Sequence, residues 1–169
     1  MQSVMNKKIK FRESFRPFAP AILEEFVSEY FYFDRPSPYM LFVADLKEEY
    51  RKKVDDNDKT GLELLKIHRS IVPAITHVDF SARLQSVNKR DNPLFYDLIK
   101  EFYNITKVPI IINTSFNVRG EPIVESPLDA YYCFMGTNID YLAIGSFLLS
   151  KKDQPKLDLK KWKKTLIKD

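Results

Sequence analysis

Residues 109–123 read PIIINTSFNVRGEPI. Ile110, Ile111 and Ile112 are apolar and β-branched, a short run suited to a buried strand. The run empties into Asn113, Thr114, Ser115 and Asn117, then Arg119, Gly120 and Pro122. A hairpin turn needs only about two such residues, so this polar arc is long. Gly120 permits an unusual backbone angle and Pro122 stiffens the exit. In open α/β sheets, ligands gather at the carboxyl ends of strands. Turn N–H groups together with hydroxyls can hold an anion. The same residues also suit a long surface turn capped by its own side chains. Local chemistry leaves both readings open.

Outward from this stretch, strand and helix signals alternate. Upstream, Asn92 and Pro93 open a helix whose apolar face is Leu94, Leu98, Ile99, Phe102 and Ile105. Downstream, Ser126, Pro127 and Asp129 open another, running to about Met135. DYLAIG and FLLS follow as two closely spaced strands. Nearer the start, MLFVA reads as a buried strand, and IVPAITHV and ARLQSV read as further strands. Residues 19–33 read as a helix, with Pro20 at its first turn and Ile22, Leu23, Phe26, Tyr30 and Phe31 as apolar positions. Asp45 with Glu48 resembles a capping pair for a short charged helix through Lys53, and DDNDKT reads as a mobile loop. Some strands follow one another directly. The order therefore predicts an α/β or α+β fold with a mixed sheet and flanking helices.

Bulk properties narrow the class. The length of 169 residues predicts one domain with a sizeable core. The formal net charge of +4 is mildly basic, compatible with phosphate or nucleic-acid binding without requiring either. Cys133 is the single cysteine and sits in an apolar helical pattern, which predicts a buried thiol and a reducing, cytoplasmic setting. With only His68 and His77 besides, no metal site is expected. No stretch reaches the ~18 apolar residues of a membrane span, and no membrane partner is expected. Glycine-rich nucleotide loops are absent. The lysine-rich tail after Lys151 carries Leu157, Leu159, Trp162, Leu166 and Ile167, and reads as a packed or loosely ordered helix.

Two further constellations carry chemistry. KKIKFRESFRPF (residues 7–18) places Lys10, Arg12 and Arg16 at spacings of two and four. In an extended segment, Lys10 and Arg12 project to one face. Clustered arginine forks and lysine charges suit a polyanion such as triphosphate. A solvated basic terminus is the competing reading, against which Phe11, Phe15 and Phe18 weigh. In HVDFSARLQSV (residues 77–87), Arg83 and Gln85 share one face of a strand. His77 and Asp79 form a possible proton-transfer pair, although a structural histidine is the commoner case.

These blocks occur together. IKFRESFRPFAPAIL, SPYM, HVDFSARLQSV, NPLFYDLIKEF and INTSFNVRGEPIVESPLDAYYCF follow one another in this order. In order and spacing they resemble the C-terminal domain of the nodulation-type and antibiotic-type O-carbamoyltransferases, over about residues 8–151. The resemblance implies a YrdC-like fold: a twisted mixed sheet with flanking helices over residues 1–151, followed by a basic tail, 152–169. Lys10-Phe11-Arg12 matches the K-x-R motif of YrdC-like nucleotide sites, and Ser115-Phe116-Asn117 matches the S-x-N motif.

The implied reaction takes carbamoyl phosphate to carbamate, which attacks the α-phosphate of ATP and releases pyrophosphate from carbamoyl-adenylate. The substrates implied are carbamoyl phosphate and ATP, with Mg2+ accompanying the nucleotide. The family's N-terminal actin-like domain, which binds iron and passes the carbamoyl group to a hydroxyl, is not represented in these blocks, so such a domain or subunit is the expected partner. Under this resemblance Lys10 and Arg16 bind carbamoyl phosphate or triphosphate oxygens, supported by Arg12. Arg83 forks onto a phosphate or carbamoyl oxygen. Ser115 and Asn117 hydrogen-bond the ligand, and Asn113 and Thr114 shape the turn. Lys10→Ala, Arg83→Ala and Ser115→Ala are each expected to impair adenylate formation with the fold intact. A YrdC-like RNA-binding module and an inactive isolated domain are the alternatives, nucleic acid ranking below the enzymatic reading.

Overall fold

The computed structural model describes residues 2–53 and 60–157. Most of DDNDKT and, in the tail, Leu159, Trp162, Leu166 and Ile167 lie outside the described residues. In chain order, a short helix α1 (Gln2–Val4) runs into a π-helical turn, Met5–Ile9. Strand β1 (Ala19–Leu23), helix α2 (Val27–Tyr30), β2 (Phe42–Asp45) and β3 (Ser81–Val87) follow. Helix α3 (Pro93–Thr106), β4 (Ile110–Asn113), α4 (Pro127–Gly136), β5 (Tyr141–Ile144) and β6 (Phe147–Ser150) complete the order. Short 3-10 turns lie between them. The chain forms two compact units, one of residues 17–114 and one of residues 3–16 with 115–157.

The larger unit holds a four-stranded mixed sheet in the order β2-β3-β1-β4. β1 runs parallel to β3 and antiparallel to β4, and β2 is antiparallel to β3. The expected helix over residues 19–33 is thereby corrected to a central strand followed by short helical turns. An apolar run such as APAIL fits a two-sided buried strand as well as a helix, and pairing on both sides decides for the strand. Pro20 is tolerated because pairing to β3 begins only at Ala21, so its missing N–H removes no bond on that side.

Core packing follows from this sheet. Ala21, Leu23, Val87 and Ile99 are buried together, with Phe26, Phe95, Tyr96, Tyr103 and Ile111 packed around them. Helix α3 starts where the sequence places it: the Asn92 side chain accepts from the Phe95 N–H, and Pro93 occupies the first turn. Its core-facing side is a correction. Of the five predicted apolar positions only Ile99 is buried, and Leu94 and Ile105 are 85% and 82% exposed. The aromatic rings at 95, 96 and 103 supply the packing face instead.

Three other expectations are corrected. β2 is an edge strand, not a buried one, with Val43 59% exposed. IVPAITHV forms turns, not a strand. There, Ser70 accepts from the Val72 N–H (3.0 Å), Thr76 donates to the Val72 carbonyl (3.0 Å), and the two hydroxyls meet at 2.7 Å. Side-chain bonds to nearby backbone thus replace ladder bonds. Asp45 ends β2 and caps nothing; only a three-residue turn, Glu48–Tyr50, follows, without a side-chain cap.

The smaller unit holds α4 and the β5–β6 hairpin. Ser126 and Asp129 form a reciprocal capping box at the start of α4. Ala130, Phe134 and Leu142 form its core, with Phe116, Val124 and Leu149 packed against them. Lys151 donates to the Phe134 and Thr137 carbonyls at the end of α4, where free carbonyls favour a cation. Cys133 is buried as expected, and burial pushes its thiol pKa up to about 11. Among the described residues no helix is long and apolar enough to cross a membrane.

Candidate anion-binding cleft

The segment around Lys10 and Arg12 is not extended, the form in which alternation would put the two side chains on one face. The Lys10 N–H closes on the Met5 carbonyl and the Arg12 N–H on the Asn6 carbonyl, each at 2.9 Å. Phe11 between them has φ 50, a left-handed conformation that is strained for a bulky residue. This reversal, not strand alternation, brings Lys10 and Arg12 to one cleft of about 250 Å³. Arg16 and Arg119 add two more cations to its lining, and Glu13 the one carboxylate. Ser115 and Asn117 supply neutral polar groups there, beside Gly120, which has the left-handed φ of 83 expected for the turn.

Lys10 is the centre of this arrangement. Its side chain is buried, the residue being 6% exposed. Nζ donates to the Ser115 carbonyl (2.6 Å), the Asn117 carbonyl (2.6 Å) and Asn117 Oδ1 (2.7 Å), with Ser115 Oγ at 3.4 Å. An ammonium has three N–H donors, so the three short bonds employ them all. The K-x-R and S-x-N stretches, more than 100 residues apart in the chain, are tied by this one group. Ser115 Oγ also donates to Asn117 Oδ1 at 2.7 Å, and Asn117 Nδ2 to the Glu121 carbonyl at 2.9 Å. Lys10 is thus a pin in the cleft wall, and its replacement costs stability as well as charge.

The electrostatics favour an anion. Burial, and next the charge of Arg12, lower the pKa of Lys10. Burial, and next the charge of Arg16, lower that of Arg12. Cations held together against their mutual repulsion are relieved when an anion enters. Glu13 partly offsets that repulsion. It pairs with Arg16 at 3.4 Å and Arg119 at 3.9 Å. Its carboxyl lies below its ordinary range, first through its own backbone N–H, then through Arg16, Arg119 and Arg12.

Five predicted site residues, Lys10, Arg12, Arg16, Ser115 and Asn117, therefore line one cleft. Arg83, Asn113 and Thr114 belong to the other unit. There Gln85 pairs with Ala21 and Asn113 with Ala19, so all four lie on one face of the sheet. The small alanines on the central strand let the two amides meet, and Asn113 donates to Gln85 Oε1 and to Met40 Sδ. Arg83 shares that face by alternation and is exposed, opposite Val43. Among the described residues it makes no hydrogen bond or ion pair. His77 and Asp79 do not form a direct pair: both meet Ser81, which donates to Asp79 at 2.7 Å and lies 3.3 Å from His77 Nδ1. Among the described residues no group of three or more His, Cys, Asp or Glu side chains is placed to hold a metal.

Sequence reasoning missed Glu13 and Asn6. A carboxylate set between Arg12 and Arg16 was a usable signal for the first. A lone asparagine in a polar terminus carried none for the second.

The family model described as "Carbamoyltransferase C-terminus" matches residues 1–151. An uncharacterized protein of Synechocystis is 54% identical, covering 96% of this chain and 27% of the relative. Nodulation protein NolO of Bradyrhizobium diazoefficiens is 40% identical, covering 88% of this chain and 24% of the relative. An uncharacterized protein of Methanocaldococcus jannaschii is 35% identical, covering 87% and 25%. The chain thus spans about a quarter of the length of these curated relatives. By the model match and by identity, it belongs to the carbamoyltransferase C-terminus family.

Proposed function

We propose that this chain carries the activation step of a carbamoyltransferase, forming carbamoyl-adenylate from ATP and carbamoyl phosphate. Water releases carbamate and inorganic phosphate from carbamoyl phosphate. A carbamate oxygen then attacks the α-phosphorus of ATP, the α–β bridge breaks, and pyrophosphate leaves. The onward passage of the carbamoyl group to a hydroxyl acceptor falls, on this reading, to the part of the relatives that this chain does not span.

The observation that carries the proposal is the cleft. Four cations, a hydroxyl and an amide converge on it, opposed by one carboxylate. Bringing a carbamate anion to a triphosphate needs fixed positive charge, set in place before the charges meet. Lys10 supplies it from the wall. Arg12, Arg16 and Arg119 supply planar forks matched to phosphate oxygens. The Ser115 hydroxyl would turn its proton from Asn117 Oδ1 to a ligand oxygen, and Asn117 would donate to the ligand through Nδ2 in place of the Glu121 carbonyl. Magnesium would arrive on the nucleotide, held by phosphates and water, in keeping with a cleft that offers a single carboxylate. Arg83 would contact a phosphate or carbamoyl oxygen, with Asn113 and Thr114 as supporting groups.

The test is mass spectrometry of the full chain incubated with ATP, magnesium and 13C-carbamoyl phosphate. Labelled carbamoyl-adenylate is the expected product. AMP and pyrophosphate formed without any labelled adduct, or no turnover with ATP left unbound, would remove the reading.

A further inference from the structure

Asn6 is fully buried, 0% exposed, in a segment whose other polar side chains are mostly solvated. A buried carboxamide must have its hydrogen bonds made, and this one does. Nδ2 donates to the Ser14 carbonyl at 3.2 Å and to the Arg16 carbonyl at 2.8 Å. Oδ1 accepts from Arg12 Nε at 2.6 Å. The Asn6 backbone carbonyl accepts from the Arg12 N–H at 2.9 Å. One residue thus fixes the backbone that carries Arg16 and holds the guanidinium of Arg12 from its Nε edge. Both arginines line the cleft, and Asn6 does not.

The geometry points to Asn6 as a positioning residue for anion binding: it sets the orientation of Arg12 and the placement of Arg16 without touching the ligand. This rests on the cleft being an anion site, as proposed above. An arginine whose Nε–H is already taken presents its remaining N–H donors from a fixed plane. Less rotamer freedom is then lost on binding. The three carbonyl and amide bonds close the loop from Asn6 to Arg16, which holds the strained Phe11 in place. The part requires one donor and one acceptor group side by side. A carboxamide has both, whereas an ionised carboxylate lacks the donor.

The probe is inorganic pyrophosphate, titrated calorimetrically into the full chain at low ionic strength. Asn6→Ala is expected to weaken binding by about tenfold, the scale of one lost charged hydrogen bond. In an Arg12→Ala, Arg16→Ala background the same change should have little further effect. Asn6→Asp gives the readout that a merely structural role would not move. Its ionised carboxylate repels the Ser14 and Arg16 carbonyls, while its protonated form again pairs a donor with an acceptor. The ratio of variant to wild-type affinity should therefore recover as the pH falls through the new carboxyl's pKa. In the wild-type chain, independently of any variant's folding, the Arg12 Nε–H should give a slowly exchanging nitrogen-15 resonance. Wild-type affinity in folded Asn6→Ala, a pH-independent Asn6→Asp ratio, or a rapidly exchanging Arg12 Nε–H would each overturn the proposal. Failure of the wild-type chain to bind pyrophosphate would overturn the anion-site reading itself, a result distinct from the others.

Discussion

Replacing Lys10 by methionine removes the ammonium while keeping most of the side-chain volume. Three acceptors, the Ser115 and Asn117 carbonyls and Asn117 Oδ1, then lose a donor at 2.6–2.7 Å. A hydrogen bond to a charged group contributes about 1.5–3 kcal/mol net, and an orphaned buried acceptor costs a comparable amount. Against this, the variant no longer buries an ammonium, a desolvation cost of several kcal/mol. The difference is a loss of about 2–4 kcal/mol, because three bonds outweigh one partly compensated charge. For a chain of this size that corresponds to a fall in Tm of about 5–15 °C. Lys10→Arg should not restore the loss, since a planar fork cannot converge on three acceptors as an ammonium does. Thermal and urea melts followed by circular dichroism read the stability, and pyrophosphate titration reads the charge. A variant that melts within about 1 °C of wild type would refute the pin. So would one that loses binding with no loss of stability, which would make Lys10 a ligand group only.

Further expectations follow from the same geometry. Glu13→Gln should raise pyrophosphate affinity severalfold by releasing Arg16 and Arg119 from their resident carboxylate; unchanged or weaker binding in calorimetry would show that Glu13 does not compete. Arg83→Ala should leave the melting temperature unchanged, because the side chain is exposed and unpaired among the described residues, yet reduce carbamoyl-adenylate formation; wild-type turnover would remove Arg83 from the reaction. Asp91 is held near pKa about 2, below its ordinary 3.8, first by Arg90 and then by Asn88. Its stabilising contribution is complete above pH 3.8 and is lost as pH falls toward about 2. Asp91→Asn should accordingly flatten the acid limb of the stability profile in that window, and an unchanged limb would contradict the pairing.

Where the sequence was legible, local chemistry sufficed. Asn92-Pro93 and Ser126-Pro127-Asp129 carry their helix starts in their own side chains. The triple isoleucine is a strand, and DYLAIG with FLLS a hairpin. Residues 19–33 were misread because β1 lies between β3 and β4 and is apolar on both faces, which erases the period that separates strand from helix. The face of α3 was misread because large aromatics, not aliphatics, fill the space over Ala21 and Leu23. At the cleft, the residue types Lys10, Arg12, Arg16, Ser115 and Asn117 were readable. Their division of labour was not, since a lysine spent on backbone carbonyls looks the same in sequence as one facing a phosphate. Asn6 and Phe11 act through burial and a left-handed backbone angle, neither of which leaves a pattern in residue types.

The proposed function has this chain activate carbamoyl phosphate at the expense of ATP. Its most direct measurement is the paired release of inorganic phosphate and pyrophosphate by the full chain supplied with ATP, magnesium and carbamoyl phosphate. Equal amounts of the two are expected, with both falling to background when either ATP or carbamoyl phosphate is left out. Pyrophosphate release that does not depend on carbamoyl phosphate, or phosphate release without pyrophosphate, would contradict it.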